Sequence, residues 1–252
     1  MHPEPPVPRT VLFSYAHPDD ESFAGSGLAM QCVSEGGRAV LVTATLGQRG
    51  KLGDPPVCRP EEIEACREAE LREACRIIGI ANLHLLGFTD RELGAAPAES
   101  IRHSLVTLIR RYQPAVVVSF DPNGLNLHPD HIAIARFTMD AVAAAADPRW
   151  YQADGAPHHV RRVLWTPPVP PWQVTKVQRL EEQPGVDFAL DVSAWADRRA
   201  AALRAHRSQH LSIDRCFFSQ ADVDAILKVE TYRQGWGPPL TRRPERDVFA
   251  GL

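Results

Sequence analysis

No run of apolar residues approaches the roughly 20 needed to cross a bilayer, and the alanine-rich Ala141–Ala146 reads as the end of a helix. The amino terminus, Met1-His2-Pro3-Glu4-Pro5-Pro6, has no basic segment followed by an apolar one, so no secretory signal is visible. Basic charge is not in excess. The formal net charge is −3, so no polyanion partner is implied; a nucleic acid would normally demand a basic face. Cysteine is sparse, odd in number at five, and without a CxxC spacing. That argues against a disulfide framework and points to a reducing cytoplasm. Cys66 and Cys75 fall in a helical stretch and read as packing residues. A nucleotide-dependent oxidoreductase would carry GxGxxG directly after its first strand. Here Gly25-Ser26-Gly27 comes late, inside the following helix, without the third glycine. Internal repeats are absent too.

What is present is the composition of an ordinary globule, 44% hydrophobic and 23% charged over 252 residues. That length suits one large α/β domain spanning the chain, 1–252. Strand and helix patterns alternate. Val11–Ala16, Ala39–Thr45, Leu83–Leu86, Ala115–Phe120, Val160–Trp165 and Val186–Leu190 read as strands. Phe23–Glu35, Glu61–Ile78, Ala98–Tyr112, Pro129–Ala146, Ser193–His206 and Ala221–Tyr232 read as helices, several punctuated by Gly or Pro. The alternation predicts an α/β, Rossmann-like fold: a mostly parallel sheet with helices on both faces. Leu46–Pro60 reads as a loop that borders the crevice at the carboxyl ends of the strands, and Pro167–Pro171 as a rigid connector.

Two polar knots fall at that crevice. Tyr15-Ala16-His17-Pro18-Asp19-Asp20-Glu21-Ser22 follows the first strand, and His128-Pro129-Asp130-His131 follows Ala115–Phe120 after a short loop. A catalytic zinc takes three protein ligands from imidazole and carboxylate and leaves a position for water. His17 and Asp20, aimed by the turn at Pro18, supply two; His131, in the first turn of the next helix, supplies the third. Asp19 points elsewhere and is free to take a proton from bound water, whose pKa a metal lowers to about 7. His128, three before His131, shares its face and reaches the reacting carbonyl, where in protonated form it stabilises the oxyanion and later donates a proton to the leaving amine. Asp130 orients an imidazole. Taken singly, Asp19, Asp20 and Ser22 also read as helix N-caps and His128 as a loop residue. The placement of both knots after core strands favours the metal site. His84, His103, His158, His159, His206 and His210 read as structural or solvated.

These residues resemble the LmbE-like, or N-acetylglucosaminylphosphatidylinositol de-N-acetylase, family of zinc-dependent deacetylases. The resemblance is carried by Ala16-His17-Pro18-Asp19-Asp20-Glu21, Thr45-Leu46-Gly47-Gln48-Arg49-Gly50, Arg67-Glu68-Ala69-Glu70, Asp90, His128-Pro129-Asp130-His131-Ile132-Ala133 and the late helix Ala201–Gln209. It implies a hydrolase that removes the N-acetyl group from an N-acetylglucosamine conjugate. It implies zinc, or another divalent ion such as Fe2+, on His17, Asp20 and His131, with Asp19 as base and His128 at the oxyanion. Arg67 and Asp90 match positions that bind substrate, although Arg67 also reads as part of a solvated ion-pair face and Asp90 as a turn residue. Family members are often oligomers. Gln48 stands where many relatives have Glu, Asn126 where some have Tyr, and Leu127 where a small residue is usual. Two other readings are an amidase acting on a non-sugar acylamine and a non-catalytic sugar-binding module on the same fold.

Overall fold

Seven strands among the described residues form one sheet in the order β3-β2-β1-β4-β5-β7-β6. They are β1 (Thr10–Tyr15), β2 (Arg38–Thr45), β3 (Asn82–Phe88), β4 (Val116–Phe120), β5 (Arg162–Thr166), β6 (Phe188–Asp191) and β7 (Val229–Trp236). The computed structural model describes residues 9–166 and 183–252. The Pro167–Pro171 connector and the Met1–Pro6 segment lie outside them. The first five strands run parallel, while β7 is antiparallel to both β5 and β6. The expected mostly parallel α/β sheet is therefore observed.

β1 and β4 are buried along their whole length, as continuous apolar strands covered on both faces must be. Chain order reverses beside β1: the chain steps outward to β2 and β3, then returns to β4 on the other side. Right-handed crossovers then put the connecting helices of the two halves on opposite faces. α2 (Ser26–Ser34) and α3 (Ile63–Ile78) cover one face with α7 (Ala196–Ala205); α4 (Ala98–Tyr112) and α6 (Pro129–Ala146) pack together on the other. The crevice between the carboxyl ends of β1 and β4 is thus the switch point where such sheets bind ligands. His17 follows β1, and the short turn α5 (Gly124–Leu127), with His128, follows β4.

Two expectations shift. The helix read as Phe23–Glu35 begins earlier, as α1 (Asp20–Ala24), and breaks at Gly25 before α2. A Cβ on Gly25 would lie 2.9 Å from the Phe13 ring, so the chain passes too close to β1 for any side chain. The carbonyl of Ala24 at the break accepts hydrogen bonds from Tyr15 Oη at 2.7 Å and Thr166 Oγ1 at 3.0 Å. The stretch Ala221–Tyr232, read as one helix, is instead the short α8 (Val223–Ile226) followed by β7. Val229, Thr231 and Tyr232 are strand formers, and pairing with β5 and β6 overrides the helical pattern of the preceding alanines. Glu230 on β7 is buried and accepts from the first amides of α2, Gly27 N at 2.8 Å and Leu28 N at 2.9 Å. It pairs with buried Arg199 at 3.1 Å. The glycine cluster that falls short of a nucleotide motif therefore serves helix-to-strand packing.

Candidate metal centre and active site

The two knots meet. His17 Nδ1 lies 3.2 Å from His131 Nε2, His131 Nε2 lies 3.4 Å from Asp20 Oδ1, and His17 Nδ1 lies 3.7 Å from Asp20 Oδ2. Donors around one ion at zinc's bond lengths of about 2.0–2.1 Å sit roughly 3.3 Å apart at tetrahedral angles. The three groups are buried.

The surroundings fix which atoms face the shared point. His17 Nε2 lies 3.2 Å from both Asp90 Oδ1 and Asp130 Oδ2, so it carries the proton and leaves Nδ1 with a lone pair. His131 Nδ1 lies 3.2 Å from the Gly124 carbonyl, which likewise leaves Nε2 bare. Phe120, at the end of β4, stacks on the His131 ring at 4.0 Å and 5° and sets its plane. Asp20 Oδ2 accepts from Ala16 N at 3.1 Å and His17 N at 2.8 Å. Two imidazole lone pairs face one another with the Asp20 carboxylate alongside in a buried place, an arrangement that suits a cation or a shared proton. The donor set therefore fits a divalent ion.

Without an ion, a proton takes that role. Burial opposes charge on His17, but hydrogen bonds to Asp130 and Asp90 and the Asp20 charge outweigh it and raise the imidazole to about 10. Burial likewise opposes ionisation of Asp20, yet His131 and His17 hold it down at about 2.

Asp19 precedes Asp20 in the same cleft, with its carboxylate near Arg67. Its backbone is left-handed, with φ 119°. Burial raises its carboxyl to about 6, against the pull of Arg67 at 3.5 Å and with a push from Asp20. A carboxylate poised there is a usable base at neutral pH. His128 is half-buried, its ring centroid 4.8 Å from those of both His17 and His131. Its Nδ1 accepts the Asp130 amide at 3.3 Å, capping α6, so in the neutral ring Nε2 carries the proton. Burial and the neighbouring His17 and His131 lower its pKa. That shift works against the imidazolium and favours the neutral ring, which still offers Nε2–H as a donor.

Arg67 and Asp90 also line the cleft, which has a volume of about 650 Å³. Neither is a solvated residue. Arg67 is buried and donates to the carbonyls of Gly47 (3.1 Å) and Pro18, tying α3 to both flanking loops. Gly47 has φ +63°, and a Cβ there would collide with the guanidinium. Asp90 is buried, holding His17 through Oδ1 and the Arg49 amide (2.9 Å) through Oδ2. Gln48 uses both ends of its amide: Oε1 accepts from Asp90 N at 3.0 Å and Nε2 donates to Phe88 O at 3.4 Å. Asn126 Oδ1 accepts the His128 amide at 3.0 Å, while Leu127 is 72% exposed.

Of the cleft wall formed by Gln209, Ser212, Arg215 and Gln220, only Gln209 falls in a segment singled out from the sequence, the late helix Ala201–Gln209; the other three were missed. Nothing in their spacing marks them. Sequence reading also gave Glu21 no role, although the residue lies inside the first knot. The Leu46–Pro60 loop does border the cleft, through Arg49, Gly50 and Lys51. No helix of the described residues is long and apolar enough to cross a membrane.

The model of the PIG-L family, described as GlcNAc-PI de-N-acetylase, matches residues 12–142. The 1D-myo-inositol 2-acetamido-2-deoxy-alpha-D-glucopyranoside deacetylase of Streptomyces griseus is 32% identical, covering 97% of this chain and 89% of that protein. N,N'-diacetylchitobiose deacetylase from Pyrococcus horikoshii superposes with a TM-score of 0.70 at 20% identity, covering 90% of this chain and 83% of that one. GalB, the 4-carboxy-2-hydroxymuconate hydratase from Pseudomonas putida, gives 0.70 at 18% identity, covering 92% and 98%. The last two likenesses concern the fold alone, and the pair shows that the fold does not choose the reaction. The chain belongs to the PIG-L family of deacetylases.

Proposed function

We propose that this protein hydrolyses the N-acetyl group of an N-acetylglucosamine joined to a small polar aglycone, with His17, Asp20 and His131 holding a divalent ion, zinc by preference. The observation that carries this reading is the convergence of two imidazole lone pairs and a carboxylate at one point of the cleft, flanked by Asp19 and His128. When bound, the ion would supply Lewis acidity toward the acetyl carbonyl and the attacking water. Asp19 accepts the proton of the attacking water, and His128 donates its Nε2–H to the carbonyl oxygen as charge gathers there. The protonated Asp19 then returns its proton to the departing nitrogen. Amide and water become acetic acid and free amine, and the Asp19 carboxylate is regenerated. Arg67 fixes the Asp19 loop from its far side, and Asp90 fixes His17. The named relative's glucosaminide of inositol favours a polyol aglycone over a non-sugar acylamine.

The test is amine release from a panel holding N-acetylglucosaminyl-inositol, diacetylchitobiose and simple acetamides, with zinc supplied and then chelated. Turnover of the sugar conjugates, lost on chelation, is expected. Preference for acetamides without a sugar would replace the substrate class, and no turnover of any amide would overturn the reading.

A further inference from the structure

We infer that Glu21 and His206 are positioning residues for the base: they form a buried pair that holds the main chain of Asp19 in its left-handed turn. The inference rests on the reading of Asp19 as base.

A non-glycine residue at φ 119°, ψ −29° is strained and persists only where its surroundings impose it. At Asp19 that imposition is visible. The Asp19 amide donates to Glu21 Oε2 at 3.1 Å, and the Asp19 carbonyl accepts from Ser22 N at 2.9 Å and Phe23 N at 3.1 Å. Glu21 Oε1 is in turn held by Ser22 Oγ at 2.6 Å and by His206 Nε2 at 2.7 Å. Both partners are shut away from water, Glu21 at 2% and His206 at 0% exposure. A buried carboxylate stripped of its partner must re-pair or move. His206 comes from the carboxyl end of α7, 185 residues along the chain from Glu21. Its other nitrogen, Nδ1, has no partner, so Glu21 is the group its ring engages.

The consequence is specific to the base. Asp20 is pinned separately by the amides of Ala16 and His17. Relaxing φ at Asp19 therefore swings the base and leaves the ion's ligands in place. Loss of His206 should reach turnover without reaching metal content or substrate affinity.

Full-length, zinc-loaded His206→Ala, His206→Gln and Glu21→Gln are compared with the native protein for kcat, KM and bound zinc. Amide exchange of the peptide carrying Asp19–Phe23 is followed in parallel by mass spectrometry. For His206→Ala, a fall in kcat of roughly tenfold or more is expected, since sub-ångström misplacement of a reacting group carries such penalties. KM and zinc content stay unchanged and the peptide exchanges faster. His206→Gln, which offers an N–H donor near the position of Nε2, recovers most of the loss. In an Asp19→Asn background, His206→Ala adds less than about twofold, because two residues acting through one step are not additive. Native kcat in a folded, zinc-loaded His206→Ala protein, a full multiplicative loss on top of Asp19→Asn, or unchanged exchange would each overturn the inference. Should His206→Ala not fold, Glu21→Gln, of the same size, carries the test with the same expected fall and the same overturning result. If the native protein turns over no N-acetyl sugar, the functional reading fails; the exchange measurement still decides whether the pair holds the turn.

Discussion

His17 Nδ1 faces His131 Nε2 at 3.2 Å, and each nitrogen presents a lone pair because the opposite side of its ring is committed as a donor. Two lone pairs do not rest at that separation in a buried place unless something positive lies between them. The contact joins the ends of β1 and β4, so the ion would clamp the switch point of the sheet.

Metal removal should therefore be felt as stability. At 100 times its dissociation constant, an ion binding only the folded state contributes about 2.7 kcal/mol. For a domain of this size that corresponds to a fall in Tm of roughly 5–10 °C on chelation. Differential scanning calorimetry with and without chelator checks it. His131→Ala should show the lower Tm whether or not zinc is added, and full zinc content in that variant would remove it from the ligand set.

Asp19 and His128 should separate cleanly from the ligands. Asp19→Asn is expected to lower kcat by roughly 10²–10⁴-fold, the range for loss of a positioned base. His128→Ala is expected to lower it by about 10²–10³-fold, the range for loss of one oxyanion donor. Both should keep their zinc, measured by elemental analysis. Because burial, and then the neighbouring His17 and His131, lower the pKa of His128, its donor role as a neutral ring should survive above pH 7, and the His128→Ala deficit should not shrink between pH 7 and pH 9.

Much of this was legible in the chain, for identifiable reasons. α4 and α6 match their expected bounds at both ends because prolines or a helix-breaking turn stand there. That the two His-Asp knots would meet was legible because short motifs after core strands converge at a switch point. β7 was not, since its partners β5 and β6 lie far off in sequence and its Glu230 is buried by a network no local pattern announces. Nor was the service Asp90 gives to His17: the two lie 73 residues apart, and only β3 beside β2 brings them together.

Gln48 shows how a departure from the common pattern can be a fit. Its amide accepts from Asp90 N and donates to Phe88 O. A glutamate keeps the first contact but turns an acceptor toward the Phe88 carbonyl, close to the Asp90 carboxylate. Gln48→Glu should cost about 1 kcal/mol or more, the order of a half-buried hydrogen bond replaced by a repulsion. Urea unfolding of the zinc-loaded protein measures it. A variant as stable as the native protein would show that the Phe88 contact contributes nothing.

Asp130, Asp90 and Asp20, outweighing burial, raise His17 to about 10. An imidazole whose pKa is raised on folding contributes stability that is complete below its unfolded pKa of about 6.5 and is lost as pH climbs through the folded value. The metal-free protein should therefore lose stability steadily from pH 6.5 to pH 10. Asp19, raised to about 6, titrates below that window. His206 is also raised, by Glu21 against its burial, but it is present with and without the ion, so the difference between the two forms isolates the site. The ion must displace the His17 proton, and zinc uptake at pH 8 should release about one proton per chain. Isothermal titration calorimetry in two buffers of different ionisation enthalpy counts it. Identical heats in the two buffers would mean that His17 is already neutral and that the carboxylates around it do not hold a proton in place of the metal.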